Sequence, residues 1–306
     1  MRGLLIGVLL LGMTASAVAE EVLILHDPTL PPTRQVVDAF KEALETAFSH
    51  RGPRRLVPVT FRELECDEAG RRGVLGGDGL GADLVFAVGT RALEAVRRLP
   101  EPEIPVVYVL VHRPPDWKRA RTPVTGVGMQ VPPERWIKMI REALPDVKRL
   151  GVFFDPSNTG NFVKKAENAA AHQGLGLTAL EVRSPKEVPA RLAELPPDVG
   201  GLWMIPDPTV VTRETVESLL LYSLRHRMPL VTFSEGYLSL GATVAVTLDF
   251  PSIGRQAATL AWRILNGEPG GNVLPEPPKG VLLRVNPRVA RKLGVRLGVV
   301  PSGAER

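Results

Sequence analysis

A chain of 306 residues with 44% hydrophobic content has room for about two domains of ~100–200 residues each, with cores that need no disulfide or metal staple. Its formal charge of +5 is dispersed and aromatics are only 5% of the chain, which argues against the concentrated basic stripe of a nucleic-acid surface. Cys66 is the sole cysteine, so an internal disulfide is excluded and a buried or edge thiol is expected.

The chain opens with Arg2, an apolar run from Leu4 to Leu11, and the small-x-small sequence Ala17-Val18-Ala19. That is the three-part pattern of a secretory signal peptide, placing the mature start near Glu20. The apolar run is shorter than the ~20 residues that span a bilayer. No cysteine adjoins the cleavage site, so a free periplasmic protein without a lipid anchor is expected.

From there, apolar runs alternate with helical spacing. Val22–His26 reads as a strand, and Thr33–Phe48 as a helix with Val36, Val37, Phe40, Leu44 and Phe48 on one stripe. Strands at Leu56–Phe61 and Asp83–Val88, a helix at Thr90–Leu99 and a strand at Val106–Val111 follow. After the loop at Pro114–Pro123 a second series begins with a helix at Glu134–Leu144 and a strand at Leu150–Phe154. It continues with a helix at Val163–His172, a strand at Leu177–Val182, a helix at Lys186–Leu195 and a strand at Gly201–Ile205. A helix at Thr212–Leu224 and a strand at Leu230–Phe233 complete it. The tail carries a strand at Ala242–Leu248, a helix at Pro251–Leu265, a strand at Val281–Val285 and a short helix at Pro287–Leu293. The repeated strand–helix rhythm predicts an α/β protein with two Rossmann-like lobes, each with a parallel sheet.

Ligands of open α/β sheets sit beyond the carboxyl ends of the strands, where helices begin with unpaired N–H groups. Four such ends are rich in polar groups. "VFAVGTRAL" carries Thr90, "VFFDPSNTGNF" carries Ser157, Asn158 and Thr159, "LWMIPDPTVVT" carries Asp207, and "LVTFSEGYLSLG" carries Glu235. Thr90 and Ser157 also suit helix N-caps, and Asp207 between two prolines also suits a rigid turn. The neutral groups fit a carboxylate and the acids fit an ammonium, so together the six residues suit an amino acid. His26-Asp27 reads as turn chemistry, Trp203 and Phe154 as core, and Tyr237 as a weak candidate for stacking.

Catalysis finds little support. The five histidines are scattered, and no zinc-binding spacing, nucleophile elbow, P-loop or dinucleotide fingerprint is present. No enzyme activity, cofactor or metal is expected.

The ordered segments "ADLVFAVGTRALEAV", "IPVVYVLVHRP", "TGVGM", "LPDVKRLGVFFDPSNTGN", "GLWMIPDPTVV" and "MPLVTFSEGYLSLGATVAVTLDFPSIGRQAATLAWRILNGE" resemble the ABC-transporter substrate-binding protein family that includes tryptophan- and tyrosine-binding members. The likeness runs from about Val22 to Leu293, and Ser49–Ala82 departs from it. The resemblance implies a type I periplasmic-binding-protein fold, with lobes at 20–124 with 248–269 and at 125–247 with 270–306. It also implies a three-crossover hinge and a ligand in the cleft lined by the positions of Thr90, Asn158, Thr159, Asp207 and Glu235. The expected function is a periplasmic receptor, monomeric, that delivers a small carboxylate-bearing molecule to an ABC permease in the inner membrane. The competing reading is a sensor or interaction module that docks to an envelope signalling protein or enzyme; the basic loop "HRPPDWKRAR" is a surface a membrane-side partner could use.

Overall fold

The computed structural model describes residues 19–50, 58–66, 81–98, 104–114 and 122–298. The leader up to Val18, the start of the strand expected at Leu56, and most of the basic loop lie outside them.

The described chain forms two compact units. One takes the chain up to Val127 together with Gly254–Pro275, the other Gly128–Ile253 together with the chain from Glu276.

In the first unit, β1 (Glu20–His26), β2 (Val59–Glu65), β3 (Leu84–Val88), β4 (Val106–Val109) and β5 (Val124–Gly126) form one parallel sheet in the order β2-β1-β3-β4-β5. Every residue of β3 is buried, as expected of a parallel strand covered on both faces. Helix α1 (Thr33–Ser49) lays its apolar stripe on the sheet, and Phe40 stacks on Phe86 of β3 with ring centroids 3.8 Å apart. Helix α2 (Thr90–Arg97) buries Ala92, Leu93 and Val96. Cys66 is buried in the cluster with Leu23, Val85 and Leu93.

In the second unit, α3 (Pro133–Ala143), β6 (Arg149–Phe154), α4 (Pro156–His172), β7 (Gly176–Glu181), α5 (Val188–Ala193), β8 (Gly201–Trp203), α6 (Arg213–His226), β9 (Leu230–Thr232), α7 (Gly236–Leu240), β10 (Val244–Leu248) and β11 (Val281–Val285) build the second sheet and its two helical layers. The order is β11-β10-β9-β8-β6-β7. Read from β7, this is the same winding as the first sheet, with β11 added antiparallel at the edge. Trp203 of β8 packs between Trp136 of α3 and Phe162 of α4, with centroids 5.5 and 5.8 Å away. It is core, and it seats α3 and α4 on the sheet. Burial of side chains this large contributes ~1.5–3 kcal/mol each.

Helix α8 (Phe250–Leu265) begins in the second unit and ends in the first. A Cβ on its Gly254 would sit 2.3 Å from the Val36 carbonyl of α1, so only glycine lets the two helices approach this closely. The short α9 (Pro287–Leu293) closes the second unit.

One element boundary departs from the sequence reading in a way that matters. Helix α4 starts at Pro156 instead of Val163. Asp155 caps it by accepting from the Ser157 N–H, and Pro156 occupies the first helical position, where its fixed φ suits a helix and its missing N–H is no loss. "SNTG" is therefore the first turn of a helix and not a loop in front of one. Likewise Gly89, at φ 96°, caps α2, and Thr90 is its first helical residue.

Candidate functional site

Both sheets have the 2-1-3-4-5 winding, whose crevice opens where the strand order reverses. That point lies between β1 and β3 in the first unit and between β6 and β8 in the second. The chain leaving each of β1, β6 and β8 carries the same tripeptide pattern, at once after β1 and β6 and three residues further on after β8: Asp27-Pro28-Thr29, Asp155-Pro156-Ser157 and Asp207-Pro208-Thr209. In all three, the aspartate accepts from the backbone N–H two residues on, at 2.9–3.0 Å. This is the side-chain mimic of a turn that Asp makes readily, and proline at the second position removes a donor that would have had no partner.

In the second unit the two exits are tied together. The β6–β8 ladder ends at Val152 opposite Trp203, so the strands part before β6 finishes. Asp207, fully buried, spans the gap. Its Oδ2 accepts from the Asp155 N–H at 2.9 Å and from the Thr159 hydroxyl at 2.5 Å, and its Oδ1 accepts from the N–H groups of Thr209 and Val210. Asp155, 7% exposed, accepts from the Ser157 N–H and hydroxyl on Oδ1 and from the Thr209 hydroxyl on Oδ2 at 2.9 Å. The Thr209 oxygen in turn accepts from the Asn158 amide at 3.0 Å. The Ser157 hydroxyl, with the Ser157 amide and the Thr209 hydroxyl, holds the Asp155 carboxyl below the ordinary carboxylate range; Arg183 adds to the effect and desolvation opposes it.

The structure thus brings Ser157, Asn158, Thr159 and Asp207 into one network, completed by Asp155 and Thr209. Four donors from the chain occupy the Asp207 carboxylate. Ser157 and Thr159 direct their hydroxyl protons inward onto carboxylates, which leaves oxygen lone pairs as the outward-facing part of each hydroxyl. Glu235, at the exit of β9 and half-buried, pairs with Arg284 of β11 at 3.2 Å, while Asn286 donates to the Leu238 carbonyl. Both contacts fasten α7 to the edge strand. Tyr237 packs edge-on to Phe233, centroids 5.5 Å apart.

In the first unit the β1–β3 ladder runs to His26 opposite Val88, and the Asp27 N–H is taken by the Val88 carbonyl at 3.1 Å. No side chain is needed to bridge the strands. The Asp27 carboxylate accepts from the Thr29 hydroxyl and N–H and lies 3.6 Å from the Arg91 guanidinium. Desolvation, the largest single influence, pushes its carboxyl up, but the two Thr29 bonds and the Arg91 charge together outweigh it and hold the group below its ordinary value. Thr90 is exposed at the start of α2.

Asp27 makes the turn that the sequence suggests, whereas the network roles of Asp155 and Thr209 and the pairings of Arg91 and Arg284 are not among the sequence expectations. The thrice-repeated Asp-Pro-Ser/Thr pattern is the signal that marks Asp155 and Thr209. Arg91 and Arg284 leave no local trace, because their partners are 64 and 49 positions away along the chain.

Two mixed α/β units of the same winding, with acid-framed strand exits at each switch point, match the type I periplasmic-binding-protein fold. Solved structures agree. A ligand-free, open substrate-binding protein with adhesive properties from Clostridium difficile is 17% identical, covers 94% of this chain and 99% of its own, and gives a TM-score of 0.67. An ABC domain in complex with L-Trp from Streptococcus pneumonia is 18% identical over 94% and 97%, with a TM-score of 0.54. An arabinose-binding protein from Geobacillus stearothermophilus is 12% identical over 89% and 99%, with a TM-score of 0.59. At such identities the likeness establishes fold, and the fold holds amino acids and sugars alike.

The chain belongs to the ABC transporter substrate binding protein family, whose model matches residues 79–298; the family is one of solute-binding proteins and not of enzymes. A tyrosine-binding protein of Clostridioides difficile (strain R20291) is 20% identical over 199 residues, which is 62% of this chain and 57% of that relative. Among the described residues no helix is long and apolar enough to cross a membrane.

Proposed function

We propose that the protein is an exported receptor of an ABC importer and binds an amino acid or a closely related carboxylate-bearing compound. The observation that carries this reading is the switch-point exit of β6 and β8. There a capped helix start, an amide and inward-donating hydroxyls stand over two carboxylates that pair with no cation among the described residues. Such a frame suits the ammonium end of a zwitterion: hydroxyl oxygens accept from it and the carboxylates behind them supply charge. The exit of β3 in the first unit has the opposite character. Exposed Thr90, half-exposed Arg91 and the N–H groups that open α2 suit a carboxylate. The tyrosine-binding relative and the L-Trp complex point to the same ligand class.

Native mass spectrometry of freshly purified protein tests this, followed by calorimetric titration with the twenty L-amino acids. A retained species of amino-acid mass, or saturable binding of one of the twenty, is the expected result. Saturable binding of arabinose with none of the amino acids would overturn the ligand class. Export is tested separately: N-terminal sequencing of periplasmic material is expected to begin at Glu20 or within a few residues. Co-purification with an inner-membrane permease, against a histidine kinase or cyclase, decides between the importer and the sensor readings.

A further inference from the structure

The hydroxyl of Thr209 sits at the centre of the second unit's network, and its chemistry dictates its neighbours'. A hydroxyl has one proton to donate and lone pairs to accept with. The Thr209 proton goes to Asp155 Oδ2 at 2.9 Å, since an ionised carboxylate can only accept. Towards Asn158, 3.0 Å away, the same oxygen can then only accept. The Asn158 side chain must therefore present its Nδ2 to Thr209, with Oδ1 on the other branch of the amide. An amide on a helix surface has two orientations of similar shape and opposite polarity; here the order carboxylate, hydroxyl, amide selects one.

The frame is rigid for independent reasons. Thr209 is fixed by its own N–H on Asp207 Oδ1 at 2.9 Å, and Asp207 Oδ2 holds the Asp155 N–H and the Thr159 hydroxyl. Asp155 caps the helix that carries Asn158. The low-lying Asp155 carboxyl keeps the chain of donors running in this direction near neutral pH.

We propose that Thr209 is a positioning residue for ligand recognition, acting through Asn158 by fixing the polarity of its amide. This rests on the amino-acid receptor reading above and assigns a role within it. Thr209 itself need not touch the ligand, and Asp207 and Asp155 serve as the frame that holds it.

The test is a double-mutant cycle read by calorimetry with the L-amino acid that the wild type binds, L-tyrosine and L-tryptophan being tried first. Thr209→Val keeps the shape and removes the hydroxyl; it is expected to weaken binding about tenfold, the scale of one hydrogen bond. Thr209→Ser restores the hydroxyl and is expected to stay within about threefold of wild type. Thr209→Val added to Asn158→Ala is expected to cost nothing further, since the route runs through Asn158. A purely structural role would lower the melting temperature of Thr209→Val and leave affinity unchanged, or would add fully to Asn158→Ala, and either result overturns the proposal. The Asn158 side-chain amide signals of the ligand-free protein give a readout independent of any ligand. They are expected to be resolved and slowly exchanging in wild type and Thr209→Ser, and to shift and exchange faster in Thr209→Val, which loses the bond to the Asn158 Nδ2. Unchanged signals in Thr209→Val overturn the proposal. If the wild type binds none of the twenty amino acids, the receptor reading fails and the amide signals alone decide the role of Thr209.

Discussion

The β1/β3 exit of the first unit and the β6/β8 exit of the second occupy the same place in the same winding order. They solve one problem, closing the backbone where two parallel strands separate, in different ways. In the first unit the ladder persists to the end of β1, so the Asp27 N–H finds a backbone carbonyl and the Asp27 carboxylate is left with a turn and a nearby arginine. In the second the ladder stops at Val152, and a side chain from the opposite exit supplies the missing acceptor. Topology decides where a site can be. The length of the local ladder decides how much side-chain chemistry is drawn in to finish it.

If that contrast is right, removing the two acids should have unequal effects. Asp207→Ala leaves the buried Asp155 N–H and the part-buried Thr159 hydroxyl and Thr209 N–H without their acceptor. At ~1–3 kcal/mol for each buried group left unpaired, a loss of about 3 kcal/mol or more is expected in urea unfolding. Asp27→Ala, whose oxygens serve one turn and a half-exposed arginine, is expected to lose about 1–2 kcal/mol. Equal losses would mean that Asp207 is no more than a turn residue.

The two helix starts make a second contrast, with effects of opposite sign. Gly89 stands at φ 96°, and a Cβ there would come within 2.6 Å of Leu30 Cδ1. Gly89→Ala is therefore expected to destabilise by about 1–3 kcal/mol. Gly160, inside the first turns of α4, would place a Cβ at an ordinary 3.7 Å from Pro156. Gly160→Ala is expected to stabilise by about 0.5–1 kcal/mol. Thermal melts of both variants check the pair.

Acid sensitivity is shared by the two exits and separates them less. Asp27 and Asp155 both have folded-state values below the ordinary one. As pH falls, the unfolded chain takes up their protons first. Their contribution is complete well above about pH 4 and is lost as pH drops through the lowered values. Melting temperature followed from neutral to strongly acid pH should fall less steeply in Asp155→Asn and Asp27→Asn than in wild type. A slope unchanged in both would show that neither acid responds to folding.

The smallest stability effect is expected at Thr90. It is exposed, so Thr90→Val should leave stability within about 0.5 kcal/mol while weakening amino-acid binding several-fold in calorimetry. Wild-type affinity in this variant would remove Thr90 from the proposed site.

Much of this architecture is legible in the chain itself. Fully apolar strands such as Leu84–Val88 and the stripes of α1 and α3 are local patterns: burial on both faces, or on one, repeats with the geometry of the element. Alternation of the two element types is what a parallel sheet requires, so the class of fold followed from it. The polar exits were legible as places. Their roles were not, and the start of α4 was misread, because Ser, Asn, Thr and Gly have low helix propensity and the cap and proline that override it precede them.

By itself, then, the sequence determined the two α/β units, the positions of the strand exits and the residue types found there, because those depend on neighbours a few positions apart. Only the tertiary structure decided what each polar group does. Asp155 and Asp207 are 52 positions apart, and Asn158 and Thr209 are 51 apart. Whether a hydroxyl donates inward or outward, and whether a carboxylate is offered to a ligand or held by the chain, depends on partners that only the winding of the sheet brings within hydrogen-bonding distance.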